Sequence, residues 1–148
     1  MAKITFSNSN NDFYQSLKAS VEAYFTENKI KKTGDWRLFS KTIILVTVAL
    51  TMYGLLMLAP LANWQALLCC VVLGGALASI GFSVMHDANH GSYSTHPKLN
   101  DFLGLSLNAM GASSYFWKQK HNIIHHTYTN VDGIDDDIEI KPLLRMCT

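Results

Sequence analysis

Two long runs without a charged side chain, residues 42–61 and 64–85, constrain this chain more than anything else in it. An α-helix rises 1.5 Å per residue, so the first run is about 30 Å long, the thickness of a bilayer's hydrocarbon core. The second is also long enough to span. Pro60 and the short segment Leu61, Ala62 and Asn63 supply a turn between them. The pattern predicts a transmembrane helical hairpin. Only 16% of the 148 residues are charged, against about 25% in an average soluble domain, and the deficit lies in this middle part.

The flanks orient the hairpin. Lys29, Lys31, Lys32, Arg37 and Lys41 precede it, with a turn at Thr33, Gly34 and Asp35 and an interfacial Trp36, whereas the connecting turn has no Lys or Arg. The positive-inside bias then places the N-terminus and everything after Met85 on the cytoplasmic side. Upstream, Ser9, Asn10, Asn11 and Asp12 offer N-caps for an amphipathic helix bearing Phe13, Leu17, Val21 and Tyr24 and ending near Asn28. That stripe is read as packing and is assigned no chemistry. Residues 1–11 lack the apolar core of a signal peptide. Gly74, Gly75, Ala78 and Gly81 are small residues at spacings that admit another helix.

The expected fold class is an all-α membrane protein in three parts. Residues 1–36 form a cytosolic amphipathic helix with its basic flank, residues 37–85 form the two spans, and residues 86–148 form a cytosolic or interfacial helical region carrying histidines. A net charge of +1 gives no reason to expect a nucleic-acid partner. Cys69 and Cys70 are adjacent inside the apolar run and Cys147 lies next to the end, which is no disulfide framework.

Five of the six histidines fall into two boxes directly after the hairpin, His86-Asp87-Ala88-Asn89-His90 and His121-Asn122-Ile123-Ile124-His125-His126. Helical residues four apart share a face, so each box presents two imidazoles to one point. One such pair is common by chance on a helix; two, with a doubled histidine in the second, argue for metal ligation. Imidazole is a borderline-soft donor suited to transition metals. A single zinc is saturated by four ligands, so five nitrogens suggest two metals. His96 has no partner at helical spacing and is read as a surface or hydrogen-bonding residue rather than a ligand.

Between the boxes, Leu99, Phe102, Leu103, Leu107 and Met110, interrupted by Asn100, Asp101, Ser106 and Asn108, predict a helix lying along the interface. Tyr115, Phe116 and Trp117 beside Lys118 and Lys120 are read as headgroup anchors, with the lining of an acyl channel as the alternative. Residues 131–139 form an acidic loop without the ligand pattern of a calcium-binding EF-hand.

The stretches HDANHGSYS (86–94) and HNIIHHTYTNVDGIDDDI (121–138), following a membrane hairpin, resemble the integral-membrane fatty acid desaturases, with most likeness to the acyl-CoA and front-end, linoleoyl-type branch in bacterial form. The resemblance implies a four-span bundle whose cytosolic cap holds two non-haem iron ions on three histidine boxes. His86, His90, His121, His125 and His126 match ligand positions. Asp87, Asn89, Asp135 and Asp137 match flanking positions that orient imidazoles. It further implies dioxygen as co-substrate, a fatty acyl substrate carried on CoA or on a lipid, membrane lipid as a partner, and placement in a bacterial inner membrane.

No His-Pro-Gly-Gly haem-carrier motif occurs in the sequence, so electrons are expected from an external donor, a ferredoxin or a cytochrome-b-type carrier with its reductase. The family's third box and second pair of spans are absent from these residues. The expectation is an N-terminal fragment that cannot close a dinuclear site alone and is inactive in isolation. A related membrane hydroxylase shares the same ligands. A metal transporter is a reading from another class, but its histidines lie within spans, whereas these follow one. A zinc protease would need a Glu directly after the first His of a box.

Overall fold

The computed structural model describes residues 11–131 and 133–138; residues 1–10, Asp132 and residues 139–148, among them Cys147 and the end of the acidic loop, lie outside the described residues. Among the described residues every regular element is helical. They divide into two compact units, one up to Lys32 and one from Thr33 onward. In the first, α1 (Asn11–Glu27) carries the predicted stripe, and Phe13, Leu17, Val21 and Tyr24 are all exposed. Lys32 returns onto this helix, pairing with Glu22 and lying 5.9 Å from the centre of the Phe25 ring.

The second unit is built on the hairpin. Its first arm, α2 (Trp36–Leu58), starts before the uncharged run because Asp35 caps it, accepting the Arg37 N–H at 2.9 Å. Arg37 and Lys41 therefore stand in the first turns of the helix, beside Trp36. The helix stops at Ala59, which is extended, ahead of Pro60, whose ring cannot continue it. Gln65 then accepts the Ala62 N–H at 2.9 Å and starts the second arm.

That arm, α3 (Asn63–Ile80), passes through a wide i→i+5 segment (Gly81–Met85) into α4 (His86–Asn89). The result is one continuous rod, Asn63–Asn89, of 27 residues. Both arms are long and apolar enough to cross a bilayer, which fits an integral membrane protein.

The arms pack through small residues. Ala49 of α2 meets Ala76 and Ile80 of α3, and Val84, Ala88 and Tyr93 extend this core toward the first box. Gly74 and Gly75 face away from it, with nothing within 4 Å of where a Cβ would sit. Ile43, Ile44, Leu50, Leu67 and Val71 are exposed, so the outside of the hairpin is as apolar as its inside. Water would oppose that arrangement and lipid does not.

After α4 the chain turns back through residues 91–96 into α5 (Pro97–Gly104) and α6 (Ser106–Ala109). The single interfacial helix expected from the stripe is thus two short ones, broken at Leu105. Asn100, which interrupts that stripe, is buried: its carbonyl accepts the Ser94 N–H at 2.9 Å and its amide donates to Gly91 O at 3.1 Å and Ser94 O at 2.9 Å. Next to it Tyr93, 1% exposed, puts its hydroxyl 2.6 Å from Thr42 Oγ1. Thr42 itself donates to Leu38 O, so the tyrosine supplies the proton. Gly34 completes the clasp. Its N–H lies 3.2 Å from the Ser92 and Tyr93 carbonyls, and a Cβ there would come within 2.8 Å of Tyr93 O.

This clasp ties the loop after the first box to the start of α2. Tyr93→Phe removes one buried hydrogen bond and is expected to lower stability by about 1 kcal/mol. Tyr93→Ala also opens a cavity and should cost about 3–5 kcal/mol. Thermal unfolding in detergent micelles measures both, and equal stability of the three proteins would refute the clasp.

Candidate metal centre

Each box is carried on a helix that changes pitch. The His86 N–H bonds to Gly81 O, five residues back, where Ser83 Oγ also donates to Ser79 O at 2.6 Å. Ser side chains bonding to a carbonyl of their own helix loosen the i→i−4 ladder, and wide turns of this kind recur at functional sites. The second box follows α7 (Ser114–Trp117), whose start is capped by Ser113, and lies on a longer wide segment (Lys118–His125). There the His126 N–H bonds to His121 O.

The pitch decides where the imidazoles point. On an α-helix His126 would face well away from His121. Here the His121 ring centre is 5.0 Å from that of His125 and 5.1 Å from that of His126. The first box reaches the same place. His86 and His90 are 4.4 Å apart, and they lie 5.3 Å and 5.1 Å from His121. All five predicted histidines therefore form one cluster, while His96 is exposed and makes no contact with it among the described residues.

Within the cluster, His86, His90 and His121 each offer a nitrogen within 4.8 Å of the others. His121, His125 and Asp137 form a second group of three. His126 joins through ring contacts with His90, His121 and His125 and belongs to neither group.

Carboxylates hold the outer ring nitrogens. Asp135 receives His125 Nδ1 at 2.9 and 3.0 Å, Asp137 receives His121 Nδ1 at 2.7 Å, and Asp87 lies 3.3 Å from His86 Nδ1. A carboxylate on Nδ1 fixes the proton there and leaves the Nε2 lone pair for a metal. The 2.7 Å contact occupies Asp137 as a partner of His121 rather than as a separate ligand. Asn89 behaves differently. Its amide donates to Gly104 O at 3.5 Å and its backbone carbonyl accepts from Asn122 at 2.9 Å, so it joins the two boxes and α5 instead of orienting a ring. A Cβ on Gly104 would collide with Asn89 Oδ1, so any larger residue there must displace that amide.

Charge is arranged to suit neutral rings. Burial, then the neighbouring His86, His121 and His126, push the His90 pKa down to about 4, with Asp87 opposing. His90 is thus neutral and able to ligate at pH 7. Asp135 is 1% exposed, and that burial works against its charge. Hydrogen bonds from His125 and from the Asn130 and Asp137 N–H groups outweigh it and hold the carboxyl below the usual value. Asp137 is likewise lowered against burial, by His121 and by Lys120, whose Nζ lies 3.4 Å away.

Of the two readings of Tyr115, Phe116 and Trp117, headgroup anchors or the lining of an apolar channel, Trp117 takes the second. Tyr115 and Phe116 are exposed, but the indole stacks on His121 at 4.4 Å and meets His86 and His90 edge-on at 5.6 and 5.5 Å. Its position four residues before His121 was the available signal. Asn122, which was not assigned to the site from the sequence, lies inside the second box and had no ligand role to announce it.

An apolar groove of about 650 Å³ leads into the cluster. It runs from Leu77 and Phe82 on the rod, past Met110, to His86, Trp117 and His121. Imidazole nitrogen donors held by carboxylates at the end of an apolar channel fit a transition metal and an apolar substrate.

Residues 62–146 match the family model for fatty acid desaturases. The chain belongs to the fatty acid desaturase family. It is 37% identical to the sn-1 linoleoyl-lipid 6-desaturase of Arthrospira platensis over 98% of this chain and 39% of that protein. The corresponding enzyme of Synechocystis sp. is 38% identical over 90% of this chain and 37% of its own length. An acyl-lipid (8-3)-desaturase of Physcomitrium patens is 36% identical over 89% and 28%. The chain thus spans about two-fifths or less of these relatives. No solved structure matches it. The desaturase family generally uses non-haem iron, and the imidazole groups described here could hold a metal.

Two outcomes follow from the carboxylates. Removing the Asp135 side chain frees the His125 ring, and Asp135→Ala in the complete protein is expected to weaken metal binding by about 10–100-fold, read by competition with a chromogenic chelator. Asp135 and Asp137 have folded-state pKa values below the ordinary 3.8, so their contribution is present above that value and lost as pH falls through the lowered ones. Their side-chain carboxylate carbon NMR shifts should stay in the ionised range down to about pH 4. Protonation of either near pH 5 would contradict the hydrogen-bond scheme.

Proposed function

We propose that the complete protein is an oxygen-dependent acyl desaturase that introduces a double bond into a lipid-borne fatty acyl chain. The observation that carries this reading is the apolar groove ending on His86 and His121. The names of the relatives, linoleoyl-lipid and acyl-lipid desaturases, support the same substrate class.

His86, His90, His121, His125 and His126 are the proposed ligands from this chain for a centre of two non-haem irons. Iron held there would supply the oxidising chemistry, from dioxygen, that removing hydrogen from unactivated methylenes requires and that no side-chain acid or base provides. The overall reaction balances as one –CH2–CH2– unit, dioxygen, two electrons and two protons giving –CH=CH– and two waters. An external carrier, a ferredoxin or a cytochrome-b-type protein, supplies the electrons.

The chain's own residues do the rest. Asp135, Asp137 and Asp87 keep the Nδ1 protons of His125, His121 and His86 in place, so that each ring offers Nε2 inward. The groove walls on the rod and α6 bind the acyl chain and keep water from it. With five basic residues in the flank 29–41 and none in the turn, the boxes are assigned to the cytoplasmic face of a bacterial inner membrane.

Expression of the complete protein with a ferredoxin and its reductase, followed by mass-spectrometric profiling of host lipids, tests this. A new unsaturated acyl species is expected, absent from a His125→Ala variant. A hydroxy fatty acid would assign the related hydroxylase activity instead, and an unchanged profile would refute the proposal.

A further inference from the structure

The groove that ends on the histidines has a neighbour. A second cavity of about 550 Å³ runs along the other side of the second box's helix, to Phe116, Ile124, Gln119 and Lys120. The two linings share two residues, Leu107 and Trp117. Both are half-buried, and Trp117 is the ring stacked on His121. The wall between the cavities therefore stands beside the candidate metal ligands.

The two spaces differ in chemistry. Apart from its imidazoles, the first is lined by apolar groups and glycine along the rod. The second adds Ser113, Gln119 and Lys120 to an apolar floor. A fatty acyl chain on a polar head has the same asymmetry, a purely apolar tail and a polar end. A chain occupying both spaces must cross the wall, and the crossing brings it past His121.

We propose that Leu107 and Trp117 are specificity-determining residues: they split the acyl site into a tail compartment along the rod and a head-side compartment along the second box's helix. The gap they leave selects the methylenes presented to the histidines. The proposal rests on the acyl desaturase reading for its substrate. Leu107 is the cleaner handle, because it sits on α6 and off both histidine helices.

The test uses the complete protein in detergent, metal-free, with a fluorescent fatty acid as the displaced probe. Competitors are stearates carrying a bulky doxyl ring at successive carbons. One label position should bind at least about tenfold more weakly than its neighbours, marking the carbon at the wall. Leu107→Ala, with an unchanged thermal midpoint, should restore that position, and Leu107→Trp should deepen the loss.

In the iron-loaded protein with its electron donor, Leu107→Ala should also yield more than one double-bond position. A flat doxyl profile in the wild type, or a dip that Leu107→Ala leaves in place, overturns the partition. If the doxyl profile behaves as expected but the wild type forms no double bond, the partition stands and the desaturase reading falls.

Discussion

Crowded imidazoles are the constraint on which the rest of this structure depends. Five rings lie with each centre within 5.3 Å of another, a spacing at which two protonated neighbours repel strongly. His90 shows the effect, its proton affinity driven far below that of a free imidazole. Such a cluster is tolerable only if the rings stay neutral and their N–H groups find acceptors outside it. The acidic loop meets that need. Asp135 and Asp137 are negative, face Nδ1 and leave the inner nitrogens bare, so the same contacts that relieve the crowding define a metal-ready face. The loop and the boxes are in this sense one unit, although they are separate stretches of sequence.

The histidine set was legible in the sequence because its spacing was. His86 and His90, and His121 and His125, pair across one helical turn as the four-residue interval requires. The convergence of His126 was not deducible from that interval, since it comes from i→i+5 turns. No residue type specifies such a turn; Gly81 and Ser83 permit one without demanding it. Trp117 lines the groove, as the alternative reading has it, and spacing alone does not choose between the two for a related reason. An aromatic next to lysines reads as an interfacial anchor until the helix is seen to turn its indole onto His121 while leaving Tyr115 and Phe116 outside.

The hairpin was equally legible, because a long uncharged run has few physical alternatives. What the runs could not reveal is how the hairpin is joined to the first box. That join is made by Gly34, Thr42, Tyr93 and Asn100, none of which a linear reading marks as a contact between the loop and α2. Their burial has a physical cause. A loop that turns back against a helix buries peptide groups, and each needs a partner. The Asn100 side chain and the Gly34 N–H supply those partners, and the Tyr93 hydroxyl adds a bond to Thr42 Oγ1, which ties the polar loop to α2 as a corner.

The corner matters because of what the rod carries. From Asn63 to Asn89 it is continuous, so the groove wall at Leu77, Gly81 and Phe82 and the ring of His86, with His90 at the C-cap, are carried by one helix. Any shift of the rod moves the groove and two imidazoles together and leaves their spacing unchanged. The opposite wall and the remaining imidazoles are on α6 and the second box's helix, so the variable dimension of the site is the gap between these two bodies. Asn122 crosses that gap with a hydrogen bond to Asn89 O at 2.9 Å. Chemistry at a methylene tolerates little error in distance. A fold that fixes one groove wall to two of the five clustered histidines by covalent continuity leaves one separation to be set by packing.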